Sequence, residues 1–258
     1  LNKDKAKLVA QETNKIISEG KYIAIDGNRY NITSKIQDSI ALTQTTITNS
    51  FVFLEREKKS TVIEVVNCPT FEAAKGLDNV LVLNFASATN PGGGWLSGAI
   101  AQEEYLCRNS TLSACLENRL LFYKFHKEQK NPLYSSRFIY SQDVLVIRDE
   151  YDNLIKPWKC DILTAAAPYA PAIEDKESIK KVFRDRIFTV ISFANYYRYD
   201  SLVLGAWGCG AFQNDIEFVA KTFHEAIKEY PYFDKIIFAI LDSKEEKYIG
   251  PFKKEFVI

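Results

Sequence analysis

From Thr61 onward the chain alternates short, β-prone apolar runs with amphipathic stretches of helical period, and this alternation limits its fold more than any other feature. Strand-like runs fall at 62–66, 80–85, 138–147, 160–166, 201–204 and 235–241. Helical patterns fall at 71–75, at 103–127 where the long stretch is open to a break, and at 175–197 and 215–230. Strands separated by helices predict an α/β fold with a mostly parallel or mixed central sheet and helices on both faces, a three-layer α/β/α sandwich. Ligands of such sheets bind where loops leave the carboxyl ends of strands. The loops after Phe85 and Leu204 are therefore the places to look for chemistry.

Ahead of this region, residues 4–17 place Leu8, Ile16 and Ile17 at helical spacing, and Gly20 follows where a helix favours glycine as its stop. Residues 22–25 and 29–32 are β-prone and flank Asp26-Gly27-Asn28, a turn sequence suited to a hairpin. Residues 33–60 are rich in Ser and Thr with weak periodicity, and no element is assigned to them. With 47% apolar residues in 258, one compact core is expected.

Composition narrows the function by exclusion. Thirty-three basic residues balance thirty-three acidic ones, so no global field favours DNA or an anionic membrane, and direct binding to either is not expected. A polyanionic ligand has to be held locally. No run approaches the roughly 20 apolar residues of a membrane span, and the opening residues do not have the pattern of a secretory signal. Five cysteines without a C-x-x-C pair fit free thiols in a reducing, cytoplasmic setting. The chain opens on Leu1 and has no methionine, so its original start is expected to have been removed or replaced. Its two histidines, His126 and His224, fall in helical patterns and are expected on the surface, which supports neither a zinc site nor a histidine triad. Carboxylates become the candidate catalytic groups, with no metal and no cofactor.

The first loop runs from Asn84 through Ala86 and Asn90 into Gly92-Gly93-Gly94. Three glycines are suited to a loop, where they allow positive φ and let a ligand approach the main chain. After a spacer of seven residues, Gln102-Glu103-Glu104 opens a helical pattern. Taken separately, the glycines fit a flexible loop and the two acids fit the electrostatics of a helix start. The second loop, Gly205-Ala206-Trp207-Gly208-Cys209-Gly210-Ala211-Phe212, leaves a strand and meets Asn214-Asp215, a plausible helix N-cap. Strand, glycine loop and helix start together suit an anion such as phosphate. The glycine order matches neither a Rossmann fingerprint nor a P-loop.

Gly-Gly-Gly, a spacer of six to eight residues and Gln-Glu-Glu together resemble the signature of the poly(ADP-ribose) glycohydrolases, whose catalytic domain is a macrodomain. The wording from Leu83 to Ala88 and from Gln102 to Arg108 resembles the compact bacterial-type branch. The resemblance implies a macrodomain-like core over 61–258, with 1–60 as a helical and hairpin accessory segment on the same domain. It implies hydrolysis of the ribose–ribose O-glycosidic bonds of poly(ADP-ribose), or of ADP-ribosylated protein, releasing ADP-ribose and reversing ADP-ribosylation, the DNA damage response included. Glu104 would protonate the leaving oxygen and then help activate water, and Glu103 would position the ribose. Asn84, Ala86, Asn90, Gly92, Gly93, Gly94 and Gln102 would line the substrate on one side. Gly205, Trp207, Gly208, Cys209, Gly210 and Ala211 would bind the diphosphate, and Phe212 would pack on the ADP-ribose. No residue is assigned to the adenine.

Most glycosidases set two carboxyl groups about 5 to 9 Å apart across the bond. Glu103 and Glu104 are chain neighbours with Cα atoms about 3.8 Å apart, so they have to divide the labour differently. A general acid must also carry a proton near neutral pH although a helix N-terminus favours the ionised form. Desolvation opposes that preference, so cover over the site is expected, with Trp95 and Phe212 as candidates and simple packing as the alternative for Trp95. A mono-ADP-ribosyl hydrolase, a non-catalytic ADP-ribose reader and a phosphatase of ADP-ribose phosphates are the alternatives.

Overall fold

The computed structural model describes residues 2–47, 51 and 54–256. Its elements in chain order are α1 (Lys3–Glu19), β1 (Lys21–Ile23), β2 (Arg29–Asn31), α2 (Thr33–Leu42), β3 (Gln44–Thr46), β4 (Val62–Val66), α3 (Thr70–Ala74) and β5 (Val80–Phe85). There follow α4 (Gln102–Asn109), α5 (Leu112–Leu116), α6 (Leu120–Gln129), β6 (Phe138–Arg148), β7 (Leu154–Ala165), α7 (Lys176–Tyr196), β8 (Ser201–Leu204), α8 (Ile216–Glu229), β9 (Lys235–Ala239) and α9 (Ile249–Phe256). They fall into two compact units, one of Leu1–Thr46, Asn84–Glu128 and Phe138–Ala165, the other of Ile47–Leu83, Gln129–Arg137 and Ala166–Ile258.

In the first unit, α1 is capped by Asn2, whose side chain accepts from the Lys5 N–H at 2.9 Å, and it stops at Gly20 with φ of 68°. Its buried face is Ala6, Val9, Ala10, Thr13 and Ile16. The expected hairpin forms, with Tyr22 opposite Tyr30. Its residues pack with Ile16, Ile32 and Ile36 against Leu145 and Ile147 of β6. Strands β3, β6 and β7 are antiparallel in that order. Segment 33–60, left unassigned from sequence, supplies α2 and β3, while residues 48–50, 52 and 53 lie outside the described set. The helix α2 has no side-chain cap, so the usual start signal is missing. The last of the β strands in this unit begins at Leu154, six residues before the apolar run at 160, because Leu154 to Lys159 pair with β6 without a regularly buried face.

The second unit holds parallel strands in the order β5, β8, β9, β4, with β5 entering through its first four residues. Helices α7 and α8 pack on each other and α9 packs on α8. Asp175 caps α7 and Asp215 caps α8, each accepting two backbone N–H groups. The strand at 235 ends at Ala239 rather than Leu241, and α9 is an element that the sequence pattern does not mark. Among the described residues no helix is long and apolar enough to cross a membrane. All five cysteines are free thiols.

Candidate active site

The end of β5, the glycine loop and the start of α4 are tied together by the main chain. Phe85 N–H donates to Gln102 Oε1 at 2.9 Å, fixing the helix start to the strand end. Glu103 is buried and receives Ser87 N–H at 2.7 Å on Oε2 and Asn84 Nδ2 at 3.4 Å on Oε1. Asn84 in turn donates to Thr164 Oγ1 at 3.1 Å, and its Oδ1 is buried without a partner among the described residues. Glu104 accepts Gly94 N–H at 3.0 Å on Oε1.

This arrangement gives the glycines a definite task. Gly93 has φ of +59°, and a Cβ on it would run into Glu104 Oε1 and press on Glu103 Oε2. Gly92 has φ of +71°, and a Cβ there would meet Trp95 Cδ1 at 2.8 Å and Cys107 Sγ at 3.0 Å. Gly93 therefore leaves room for two neighbouring carboxyl groups on one loop, and Gly92 leaves room for Trp95 and Cys107. That is why the two halves of the motif belong together.

The two acids differ in surroundings. Glu103 is 3% exposed and both its oxygens take hydrogen bonds from the protein. Glu104 is 9% exposed, and its Oε2 has no partner among the described residues. Burial pushes the Glu103 pKa up to about 8, with the Glu104 charge adding to the rise and the hydrogen bonds from Ser87 and Asn84 opposing it. Tyr123, also buried, carries a hydroxyl with no partner among the described residues, and its pKa is raised by burial and then by the Glu103 charge. Thr164 carries no signal in the sequence, since it reaches the site through tertiary contact alone. Trp95 is buried beneath Gly92, so its ring is a floor to the loop and the packing alternative describes it. His126 is buried within α6, not on the surface as expected, edge-on to Phe122 at 4.7 Å. A histidine in an amphipathic helix can face either way, and its neighbours Phe122 and Phe125 carry it inward. No group of three or more potential metal ligands occurs among the described residues.

The second loop stands in the other unit. Gly208 has φ of +73°, and a Cβ on it would meet Ala167 Cβ at 2.5 Å and Asn214 Nδ2 at 2.8 Å. Asn214, assigned only a possible capping role from sequence, is the loop's clamp: its Nδ2 donates to Pro168 O at 2.8 Å and Gly208 O at 2.9 Å. The cap of α8 is Asp215. The N–H groups of Gly208, Gly210, Ala211 and Phe212 have no hydrogen-bond partner among the described residues, and Gly210 and Ala211 are exposed. Such a run of free N–H groups suits an anion. Trp207 is fully buried, edge-on to Phe183 at 5.0 Å, so its part in the loop is played by its main chain. Cys209 is buried and its thiol pKa is raised by burial, which makes it inert. Phe212 is half-buried, edge-on to Tyr169 at 5.5 Å and tilted to Tyr134 at 6.2 Å.

Comparison with known proteins gives a consistent answer. The family description "Microbial-type PARG, catalytic domain" matches residues 10–149. Among curated proteins none matches. Among solved structures, poly(ADP-ribose) glycohydrolase from Thermomonospora curvata is 36% identical with a TM-score of 0.92, over 98% of this chain and all of that one. The same enzyme bound to the inhibitor ADP-HPD is 35% identical with a TM-score of 0.87, over 98% of this chain and 100% of that chain. Poly(ADP-ribose) glycohydrolase from Deinococcus radiodurans in complex with ADP-ribose is 33% identical with a TM-score of 0.77, over 86% of this chain and 96% of that one. The likeness covers the fold as a whole, a macrodomain-like central mixed sheet flanked by helices. With the Gly-Gly-Gly and Gln-Glu-Glu halves of the motif built into one hydrogen-bonded site and the family match spanning more than half its length, the chain belongs to the microbial-type PARG catalytic-domain family.

Proposed function

We propose that this chain, a poly(ADP-ribose) glycohydrolase by family, cleaves the ribose–ribose O-glycosidic bonds of its polymer with Glu104 as the acid and Glu103 as the ribose holder. The observation that carries the division is the unequal use of the two carboxyl groups. Glu103 spends both oxygens on protein donors, whereas Glu104 keeps Oε2 free of protein partners among the described residues and is the more accessible of the two. A group that passes a proton needs one oxygen free to face the leaving atom. A group that positions a sugar needs to be held still, and Glu103 can meet ribose hydroxyls with its remaining lone pairs. Protonation of the leaving oxygen by Glu104 yields an oxocarbenium-like ribose, and the resulting carboxylate then takes a proton from the attacking water.

On this reading Asn84, Ala86, Asn90, Gly92, Gly93, Gly94 and Gln102 shape the ribose side. Gly205, Trp207, Gly208, Cys209, Gly210, Ala211 and Phe212 form the diphosphate loop, acting chiefly through main-chain N–H groups. Residues 1–60 serve as an accessory segment to a catalytic core at 61–258. The support for that role is the bond from Thr13 Oγ1 to Arg108 O at 2.7 Å, which braces α1 against α4. The substrate is poly(ADP-ribose) on modified intracellular proteins, and the product is ADP-ribose.

The test is Glu104→Gln. The variant should bind ADP-ribose in calorimetry with unchanged affinity and release ADP-ribose from labelled polymer at least ~10²-fold more slowly, the range for loss of a general acid. Release at the wild-type rate would remove Glu104 from its role.

A further inference from the structure

Helix α7 carries a buried positive charge on the face it turns to the core. Arg186 is 0% exposed, and its guanidinium donates to Ala166 O at 2.6 Å and Leu133 O at 3.0 Å, while its Nε has no partner among the described residues. No carboxylate lies within ion-pair distance of it among the described residues. The contrast is Arg148, also buried, which meets Glu12 at 2.7 Å. A buried charge without a counter-charge is expensive, and two carbonyl groups could be satisfied by neutral donors.

The place of Arg186 relative to the second loop explains the expense. Ala166, whose carbonyl it holds, is followed by Ala167, and Ala167 Cβ is the atom packed against Gly208. One turn earlier on α7, Phe183 packs edge-on to Trp207 and also faces Gly208. Added end to end, these contacts place the guanidinium within roughly 10 Å of the loop main chain at Gly208.

We infer that Arg186 is a positioning residue for the diphosphate of ADP-ribose, supplying from behind the Gly205–Phe212 loop a buried positive charge that the bound anion compensates. The inference rests on that loop being the diphosphate binder. It separates two tasks: the free N–H groups of Gly208, Gly210, Ala211 and Phe212 give the anion its directed bonds, and Arg186 gives the field in which they act. Burial lowers the guanidinium pKa, and this is the cost that an anion in the loop offsets. A unit charge at roughly 10 Å, at an effective dielectric of about 20, corresponds to roughly tenfold in affinity.

The experiment compares Arg186→Lys, which keeps the charge, with Arg186→Gln, which keeps a donor for the carbonyl groups and loses the charge. Affinities for ADP-ribose and for adenosine, which lacks the phosphates, are measured on the full chain. The expected result is ADP-ribose affinity within about threefold of wild type for Lys and at least about tenfold weaker for Gln, with adenosine affinity level in both. Equal losses in the two variants, or a parallel loss of adenosine, would overturn the inference. Arg186→Met is the second neutral variant. If neither neutral variant folds while the Lys variant does, the charge serves folding and the proposal fails. Gly210→Asp tests the underlying loop reading separately, since Gly210 faces open space and tolerates a side chain. Unchanged ADP-ribose affinity there would sink the loop assignment. Weakening there, with no effect of Arg186→Gln, would sink the Arg186 inference alone.

Discussion

Glycine 93 shows how much a single missing methyl group can carry. Its positive φ is a backbone preference, while the collision of a Cβ with Glu104 is a contact at the site, and the two effects can be separated. Gly76 shares the first without the second, having φ of +79° and open space where its Cβ would be. Gly76→Ala should lose about 1 kcal/mol of stability, the ordinary cost of a left-handed alanine, with polymer turnover intact. On the proposal that Glu104 is the acid, Gly93→Ala should lose a similar amount and, in addition, at least ~10²-fold in turnover, since displacement of a reacting group by about 1 Å has that effect. Thermal denaturation and ADP-ribose release assays check the pair. Equal turnover in both variants would mean that Gly93 serves the backbone alone.

At the scale of elements, the long apolar pattern at 103–127 breaks where the main chain finds other partners. Ser110 leaves the helix with φ of −147°, its hydroxyl bonds back to Leu106 O, and it forms an isolated bridge with Val146 of β6. The helical period continues across that point, so the pattern alone does not reveal the break. The capping signals were more informative. Asp175 and Asp215 each take two N–H groups at the start of α7 and α8. Asp215 also meets the positive end of α8 with a carboxylate, so on the proposed reading an anion in the neighbouring loop would be held by the loop's own N–H groups more than by the helix dipole. Asp215→Ala should lower stability by about 1 kcal/mol, roughly 2–4 °C in melting temperature for a protein of this size, while Asp215→Asn retains most of it. A melting temperature unchanged in the alanine variant would show that the cap contributes nothing.

Across the whole molecule the buried Glu103 links stability to pH. Its pKa is raised on folding from 4.5 to about 8, so the folded state holds the proton where the unfolded chain has released it. The native state then binds more protons than the unfolded one between these values, and stability falls as pH rises. The favourable contribution is fully present below about pH 4.5 and is lost as pH passes through about 8. Glu103→Gln cannot ionise, and rotation of the Asn84 amide lets it keep both hydrogen bonds. Its melting temperature should therefore gain on wild type between pH 5 and pH 8 by at least roughly 2–4 °C, equivalent to ~1 kcal/mol. Parallel curves for the two proteins would show that Glu103 does not change protonation on folding.

Much of this protein is legible in its chain because its signals are local. The α/β alternation follows from apolar periodicity, the stop of α1 from Gly20, the hairpin turn from Asp26-Gly27-Asn28, and the starts of α7 and α8 from two aspartates. The joint motif Gly92 to Glu104 marks the family because its residue types and spacing are set by one loop and one helix turn. What only the tertiary structure decided depends on contacts between segments distant in sequence. It shows that Gly93 leaves room for two carboxyl groups, that Glu103 spends both oxygens on the protein while Glu104 does not, that His126 turns inward, and that the buried Arg186 has no carboxylate partner among the described residues. A sequence carries the identity of each group, but burial and hydrogen-bond partners determine its charge and its freedom to react, and these arise only when the chain has folded.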